Sequence, residues 1–225
     1  SLLLCDVGNH CVFRINLLTM GAALVCGVPG KKGGMDGPVD TATFSKPSMA
    51  IETDAGDVLV MSSSACTVRR VDPLGNVTTL CGRHGSAGNA DGVGSKATLS
   101  KPSHMVLVSD TALAGTGGGG ALFVAEGFGR RVRSVSLVDG TVATLPGAFG
   151  CVSSICAGVS SEGCLCLYVN DDKSIHRILQ DENGEWSQTT LCGWSDVNMG
   201  APSHSCLSPD GARIVFAFRE QQLVG

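Results

Sequence analysis

Two histidines in a repeated context are the side chains of this sequence best suited to hold a ligand or a metal ion. His104 and His204 each follow a Pro-Ser pair, so both occupy the third position of the same short motif. Met49 occupies that position after Pro47-Ser48. An imidazole near neutral pH binds metal ions and also donates and accepts hydrogen bonds. The sequence therefore indicates one position, used several times, at which a ligand could be held.

Basic side chains form a second candidate site. They fall on short β-like segments at two neighbouring positions of a repeat. Arg14, Arg70 and Arg177 share one position, and we expect them to be structural, with packed stems and hydrogen-bonded heads. Arg69, Arg133 and His176 share the alternate position and could form a basic stripe for RNA phosphate. Aromatic residues that could stack on bases are few, with seven Phe, one Tyr and two Trp.

Two glycine-containing motifs resemble ligand sites but favour structural interpretations. Asp36-Gly37 and Asp91-Gly92 each offer a single carboxylate, whereas a calcium loop needs several oxygen ligands at close spacing. We expect these pairs to be turns that the Asp side chain caps. Gly115–Gly120 satisfies G-x-G-x-x-G, but a strand-like segment follows it where a dinucleotide site requires a helix. It predicts a loop between two strands.

Composition narrows the classes of protein further. The net charge is −4, which gives no general attraction to nucleic acid or anionic membranes, and no apolar run is long enough to span a bilayer. The eleven cysteines cannot all be paired, and Cys26, Cys81 and Cys192 precede Gly at one repeated position. Equivalent positions of separate repeats are too far apart to bridge. We expect reduced, buried thiols, which favours an intracellular location, and neither a metal nor a cofactor.

These residues are carried by an internal repeat. The segment Ala42–Ser48 (ATFSKPS) returns 55 residues later as Ala97–Ser103 (ATLSKPS). Leu24 and Leu191 lie three repeats apart, and 167 residues over three repeats give a period of about 56. A period of this length indicates an array of similar units. Each unit contains short apolar segments separated by Gly, Asp, Asn and Pro, which predicts antiparallel strands and an all-β protein.

Four antiparallel strands followed by a long link are typical of a β-propeller blade. In the second unit the expected strands are 48–53, 58–62, 67–72 and 77–81. We predict a single domain over residues 1–225 with three whole blades at about 47–82, 103–147 and 151–193, and partial blades at about 1–30 and 203–225. Both partial units contain a second strand and do not complement each other. We therefore expect an incomplete ring whose remaining blades would be part of the same chain.

Three segments resemble the NHL repeat family. Asp6–Ile15 (DVGNHCVFRI) is similar to the Asn-His-Arg-Ile core of that repeat, and Gly75–Gly82 (GNVTTLCG) is similar to its Gly-x-Val-Thr-Thr-Leu-Ala-Gly. Asp91-Gly92 followed by Ala97–Pro102 resembles its Asp-Gly link. The resemblance implies a propeller, commonly six-bladed. Members of the family serve as RNA-binding modules, protein-binding platforms, bacterial sensor domains and a peptidyl-hydroxyglycine lyase.

The resemblance leaves three functions open. The lyase relatives hold zinc with histidines from alternate blades that directly follow the proline. Here Ser48, Ser103 and Ser203 occupy that slot, and a shift of one residue along a strand turns a side chain to the other face. We expect His104, His204 and Met49 to lie at the mouth of a central channel, either packed at its rim or contacting a ligand.

The resulting prediction is a non-enzymatic platform that binds a protein partner through loops around the channel, without membrane association. RNA binding through Arg69, Arg133 and His176 is the first alternative. A metal-dependent lyase is the second.

Overall fold

The computed structural model describes residues 1–109, 120–160, 162–194, 202–208 and 213–217. The described chain is almost entirely β-strand and turn, with one short 3-10 helix at Gly94–Lys96. The strands form separate antiparallel sheets that follow one another along the sequence. The predicted all-β propeller, incomplete and built of four-stranded blades, is confirmed. No helix in the described ranges is both long and apolar enough to cross a membrane.

The first two sheets contain eight strands. The first sheet has the order β1-β2-β3, and the second has the order β4-β8-β7-β6-β5. Their bounds are β1 (Leu2–Asp6), β2 (Cys11–Ile15), β3 (Ala22–Cys26), β4 (Gly37–Pro38), β5 (Met49–Glu52), β6 (Val58–Ser62), β7 (Thr67–Val71) and β8 (Asn76–Gly82). The four expected strands of the second unit are therefore present within one or two residues at each end.

The remaining sheets repeat this arrangement. The third sheet has the order β10-β11-β12-β13-β9, the fourth has β14-β15-β16-β17, and the last has β18-β19. Their bounds are β9 (Gly92–Val93), β10 (Pro102–Val108), β11 (Ala121–Glu126), β12 (Arg131–Ser136), β13 (Thr141–Thr144), β14 (Ser154–Val159), β15 (Leu165–Asn170), β16 (Ser174–Gln180), β17 (Trp186–Gly193), β18 (His204–Leu207) and β19 (Ile214–Ala217). We number the five sheets as blades one to five in chain order.

The hydrophobic cores lie between successive blades. Because side chains alternate between the two faces of a strand, each blade supplies apolar groups to the core on either side of it. In β6, Val58 and Val60 pack with the first blade, whereas Leu59 and Met61 pack with the third. In β11, Leu122 faces the second blade and Phe123 the fourth. Burial on both faces explains why strands such as β6 are apolar along almost their whole length.

The repeated Cys-Gly pair at the end of the outer strand is a close approach of two backbones. Gly27 and Gly82 both have φ of +88°, a left-handed conformation that side chains other than glycine rarely adopt. A Cβ atom at Gly27 would lie 2.6 Å from the carbonyl oxygen of His10. The preceding cysteines, Cys26 and Cys81, are buried free thiols. Glycine is therefore required at this position by geometry.

Each Asp-Gly link is clasped by a buried arginine. In the second blade, Nε and Nη2 of Arg69 donate to Asp36 Oδ1 at 3.0 and 2.5 Å, and Nη1 donates to the Thr43 carbonyl at 2.6 Å. In the third, Arg133 Nη2 donates to Asp91 at 2.6 Å and Nη1 to the Thr98 carbonyl at 3.2 Å. The acceptors Asp36 and Asp91 lie 55 residues apart, as do Thr43 and Thr98, so the clasp recurs with the period of the link.

The expected role of the Asp-Gly pairs needs correction. Asp36 and Asp91 bind the arginines and also accept hydrogen bonds from Thr79 and Thr144 of the outer strands, so they do not simply cap their own turns. The glycines that follow them have positive φ and begin the two-residue edge strands β4 and β9. Each link thus adds a fifth strand to the blade that it precedes.

Removal of Arg133 tests the clasp. Arg133 and its second partner, Glu126, are both fully buried, with Nη1 3.3 Å from Oε1. Loss of one member of a buried ion pair leaves the other without compensation, so Arg133→Met should lower the free energy of unfolding by about 3–5 kcal/mol. Urea denaturation measures this. The control is Arg83→Met at an exposed position, for which we expect a change within about 0.5 kcal/mol. Equal stability of the two variants would contradict a stabilising clasp.

Candidate functional site

Each blade has two ends, which form the link face and the opposite face of the protein. The link face carries the turns between the second and third strands and the start of every link. It is identified by hydrogen bonds such as Gly30 N to Asn9 O and Gly85 N to Ala65 O. The opposite face carries the turns between the first and second strands and those between the third and fourth, including Asp54, Leu74 and Val138. The first strand of each blade begins at the link face.

A channel of about 520 Å³ lies along the innermost strands of the second to fifth blades. Those strands, β5, β10, β14 and β18, pack side by side. The lining is mainly apolar, with Met49, Ile51, Val106, Ala157 and Leu207 among its residues. His104 also lines the channel. The sequence motif places its third position on the first strand of each blade, and that strand is the channel wall.

His104 and His204 meet although they lie in blades three and five. Their ring centroids are 5.9 Å apart and the ring planes are inclined at 69°. His204 is exposed, whereas His104 is partly buried. Met49 lines the same channel from the second blade. The structure therefore brings together the residues predicted for the channel mouth, and their role in binding stays a prediction.

The surroundings of His104 keep its ring uncharged. Burial, together with the smaller effect of the nearby His204 ring, lowers the pKa of His104 to about 4. The Ile155 amide donates to His104 Nδ1 over a long 3.4 Å contact. A ring that accepts at Nδ1 carries its proton on Nε2 when neutral. His104 can thus offer one N–H donor to a ligand in the channel at neutral pH.

The channel mouth does not supply the ligand set of a metal centre. Within the described ranges, no group of three or more His, Cys, Asp or Glu side chains is placed to hold an ion. The equivalent position in blade two is Met49, and in blade four it is Ser154. Cys156 also lines the channel, but burial raises the pKa of its thiol to about 11, so it is not a thiolate at neutral pH.

A buried polar cluster lies between blades four and five, beside the channel wall. Asn170 Nδ2 donates to Ser154 Oγ at 2.9 Å and to Ser205 Oγ at 2.5 Å. Ser205 Oγ is also 3.8 Å from Cys156 Sγ. Sequence reasoning did not identify this cluster, because serine and asparagine are common in every turn of the repeat. Its two hydroxyls come from the first strands of adjacent blades, and the hydrogen bond between them joins these blades.

The predicted basic stripe does not form. Arg69 is 3% exposed and Arg133 is 0% exposed, because both guanidinium groups turn inward to clasp the links. His176 is also buried, with Nε2 3.0 Å from Asp171 and Nδ1 3.0 Å from Thr190. A phosphate in solvent cannot reach these three side chains. The shared repeat position reflects a shared structural role, and the RNA alternative loses the residues on which it was based.

Two of the three arginines at the neighbouring repeat position, Arg14 and Arg70, contact the next blade. Arg14 of the first blade donates to both carboxylate oxygens of Glu52 in the second, at 2.6 and 2.9 Å. Arg70 of the second blade donates to the Leu137 carbonyl of the third. Its Nε also lies 3.4 Å from Asp57. These contacts tie successive blades together.

A second cavity, of about 290 Å³, opens between blades two and three on the opposite face. Asp57, Arg70, Leu137 and Val138 are among its lining residues. Of the predicted Gly115–Gly120 loop, residues 115–119 lie outside the described residues. Arg70 is already engaged by Asp57 and Leu137. Asp54 also lines this cavity.

No known family profile matches the sequence, and no curated protein matches it either. Solved structures do match. An auxiliary nutrient binding protein from Bacteroides ovatus is 17% identical with a TM-score of 0.55, over 74% of this chain and 42% of that one. Virginiamycin B lyase from Staphylococcus aureus is 16% identical with a TM-score of 0.58, over 92% of this chain and 56% of that one.

These similarities show the fold alone. The chain spans about two fifths to three fifths of the length of these two structures. Propeller-type neighbours agree with the blades described above, whereas membership of the NHL family is not shown. The neighbours include both a binding protein and a lyase, so the fold is compatible with either class of function.

The pKa of His104 predicts a dependence of stability on pH. In the unfolded chain a histidine titrates near 6.5, whereas in the fold His104 titrates at about 4. Between these values the unfolded chain binds more protons, so stability falls as pH falls through this window and gains nothing from His104 above it. His104→Gln should remove a pH-dependent loss on the order of 2 kcal/mol.

Urea denaturation at pH values from about 7.5 to about 4.5 compares the wild-type protein with His104→Gln. The imidazole signal of His104 in NMR gives the titration directly. A wild-type protein whose His104 signal titrates near its ordinary value would contradict the burial of this ring at the channel mouth.

Proposed function

We propose that this protein is a non-enzymatic binding platform that holds a segment of a protein partner at the channel mouth on the link face. The observation that carries the proposal is the channel itself, which is apolar along its wall and uncharged at its histidine. An apolar side chain of a partner would be desolvated by Met49 and Val106. The Nε2–H of His104 would donate to a carbonyl oxygen of the bound segment.

The charged residues near the channel support binding over acid–base catalysis. Glu52 lines the channel, but Arg14 occupies both of its carboxylate oxygens. A general acid or base needs a titratable group poised near the working pH and within reach of the reacting proton. His104 has its pKa too low to serve as an acid at neutral pH, and its Nδ1 is occupied by the Ile155 amide. Asp54 also lines the channel, but it follows the end of β5 at the opposite face, whereas His104 lies near the start of β10 at the link face.

The known neighbours do not choose between binding and catalysis. The Bacteroides ovatus protein is a nutrient binding protein, whereas the Staphylococcus aureus protein is a lyase. The match is low in identity and partial in length. We therefore base the class of partner on the lining of the channel in this chain.

Peptide display tests the proposal. Peptides selected on the wild-type protein from a random library should lose affinity for Met49→Glu by about tenfold or more, because a buried methionine contributes roughly 1.5–3 kcal/mol. Leu74→Glu is the matched control, since Leu74 is 89% exposed on the opposite face. Anisotropy of the labelled peptides gives the dissociation constants.

Met49 also packs against the core, so a second variant guards against misfolding. His204 is exposed, and His204→Asp places a charge at the mouth without disturbing the interior. It should weaken the same peptides. The proposal fails if no selected peptide distinguishes either mouth variant from Leu74→Glu, or if the selection yields no binder.

A further inference from the structure

The two faces of the blades carry opposite charge, although the net charge of the sequence is only −4. Seven exposed cations lie on the link face. They are Lys31, Lys32, Lys46, Arg83, Lys101, Arg130 and Lys173. Each lies near the start or the end of a link, or in a turn between second and third strands, and these segments are at that end of the blade. Within the described ranges, none of the seven forms a salt bridge.

Hydrogen bonds hold segments that carry these cations at the link face, and two of the cations lie at the channel mouth. The Lys46 amide donates to His10 Nδ1 at 3.2 Å, which joins the end of the first link to the first blade. The Lys173 carbonyl accepts from the Trp194 amide at 2.8 Å. Lys46 and Lys101 occupy the same position of the Ser-Lys-Pro repeat, shortly before β5 and β10. The first strands that follow form the channel wall, so these lysines lie at its mouth.

The carboxylates at this end are fewer than the cations, and neutral donors bind two of them without cancelling their charge. Asp6 accepts hydrogen bonds from the amide and side chain of Asn9 at 2.9 and 2.8 Å. Asp172 accepts from the Cys151 amide at 2.7 Å. Asp171 is buried against His176. Acidic side chains instead collect on the opposite face, where Asp54, Asp139, Glu162, Asp181 and Glu182 are exposed in turns.

We propose that the link face docks an acidic segment of a protein partner, whose Asp and Glu residues pair with the cations while one apolar residue enters the channel. The inference rests on the proposed function and adds the chemical class of the partner. Complementary charge across an interface raises the association rate and fixes the register of the bound segment. A single exposed ion pair contributes little, so affinity depends on several of the lysines together.

The observations favour an acidic protein segment over a nucleic acid. Recognition of single-stranded nucleic acid relies on aromatic rings that stack on bases. Among the described residues of the link face, Phe128 is an exposed ring, and the Lys101 ammonium covers it at 4.1 Å from its centroid. The arginines suited to bidentate phosphate contacts, Arg69 and Arg133, are buried in the clasps. The free cations are mostly lysines, which act as point charges on carboxylates.

The test uses a short fluorescein-labelled peptide of alternating Glu and Asp with one central Leu, and a matched peptide with Gln and Asn in place of the acids. The acidic peptide should bind the whole protein, and the amide peptide should bind about tenfold or more weakly. Binding should weaken when ionic strength rises from about 0.01 to about 0.15 M, as the Debye length falls from about 30 to about 8 Å.

A pair of double variants locates the binding surface. Lys46→Glu with Lys101→Glu reverses two charges on the link face and should reduce affinity by about tenfold or more. Lys96→Glu with Arg213→Glu makes the same change in net charge at exposed positions of the opposite end and should leave affinity unchanged. Equal loss in both double variants would show a general charge effect and overturn the inference.

Other occupants give different outcomes. Tighter binding of an oligouridylate RNA than of the acidic peptide would assign the face to nucleic acid and overturn the proposal. Concentration-dependent self-association lost in Lys46→Glu with Lys101→Glu would assign it to the acidic face of a second copy. If display peptides depend on Met49 and His204 but not on the lysines, the binding platform stands and the acidic partner fails.

Discussion

The pairing of a buried arginine with a half-exposed aspartate is the constraint on which the arrangement of blades depends. A blade of four strands exposes its outer edge and must also pass the chain to its neighbour through a long link. In blades two and three the link folds back along the outer strand, and Arg69 or Arg133 holds it there through Asp36 or Asp91. The fixed link determines where the next first strand begins. The channel wall, made of those first strands, is positioned by this clasp.

The fourth blade shows how the same constraint is met with different residues. Its link lacks the Asp-Gly pair, and His176 replaces the arginine. Asp171 holds His176 and accepts from the Gly150 amide at 2.5 Å, while the Gln188 side chain brackets Ala148 by accepting at 2.8 Å and donating at 3.1 Å. The shorter link is therefore anchored by its own blade. The fourth blade has lost the Asp-Gly motif, but other side chains hold its link and the blade keeps its four strands.

The sequence was sufficient to predict the fold because the propeller repeats its geometric requirements. Glycine at Gly27 and Gly82, the Ser-Lys-Pro motif and the alternating strands each recur where the structure needs them. Side-chain direction at Arg69 and Arg133 was not predictable in the same way. The alternation of a strand says that a residue faces one side of its blade, but not whether a link lies against that side. The meeting of His104 with His204 also required the curvature between blades, which no local pattern contains.

The histidine pair has a mechanical consequence, because its two rings are separated by a whole blade. Their distance of 5.9 Å depends on the packing at two successive interfaces, one between the third and fourth blades and one between the fourth and fifth. Ser103 Oγ bonds to Val152 across the first interface and Ser153 Oγ to Pro202 across the second, at 2.9 and 3.0 Å. A small change of tilt at either interface therefore changes the distance between the two imidazole rings. The distance between the two histidine rings thus reports the curvature of the blade array.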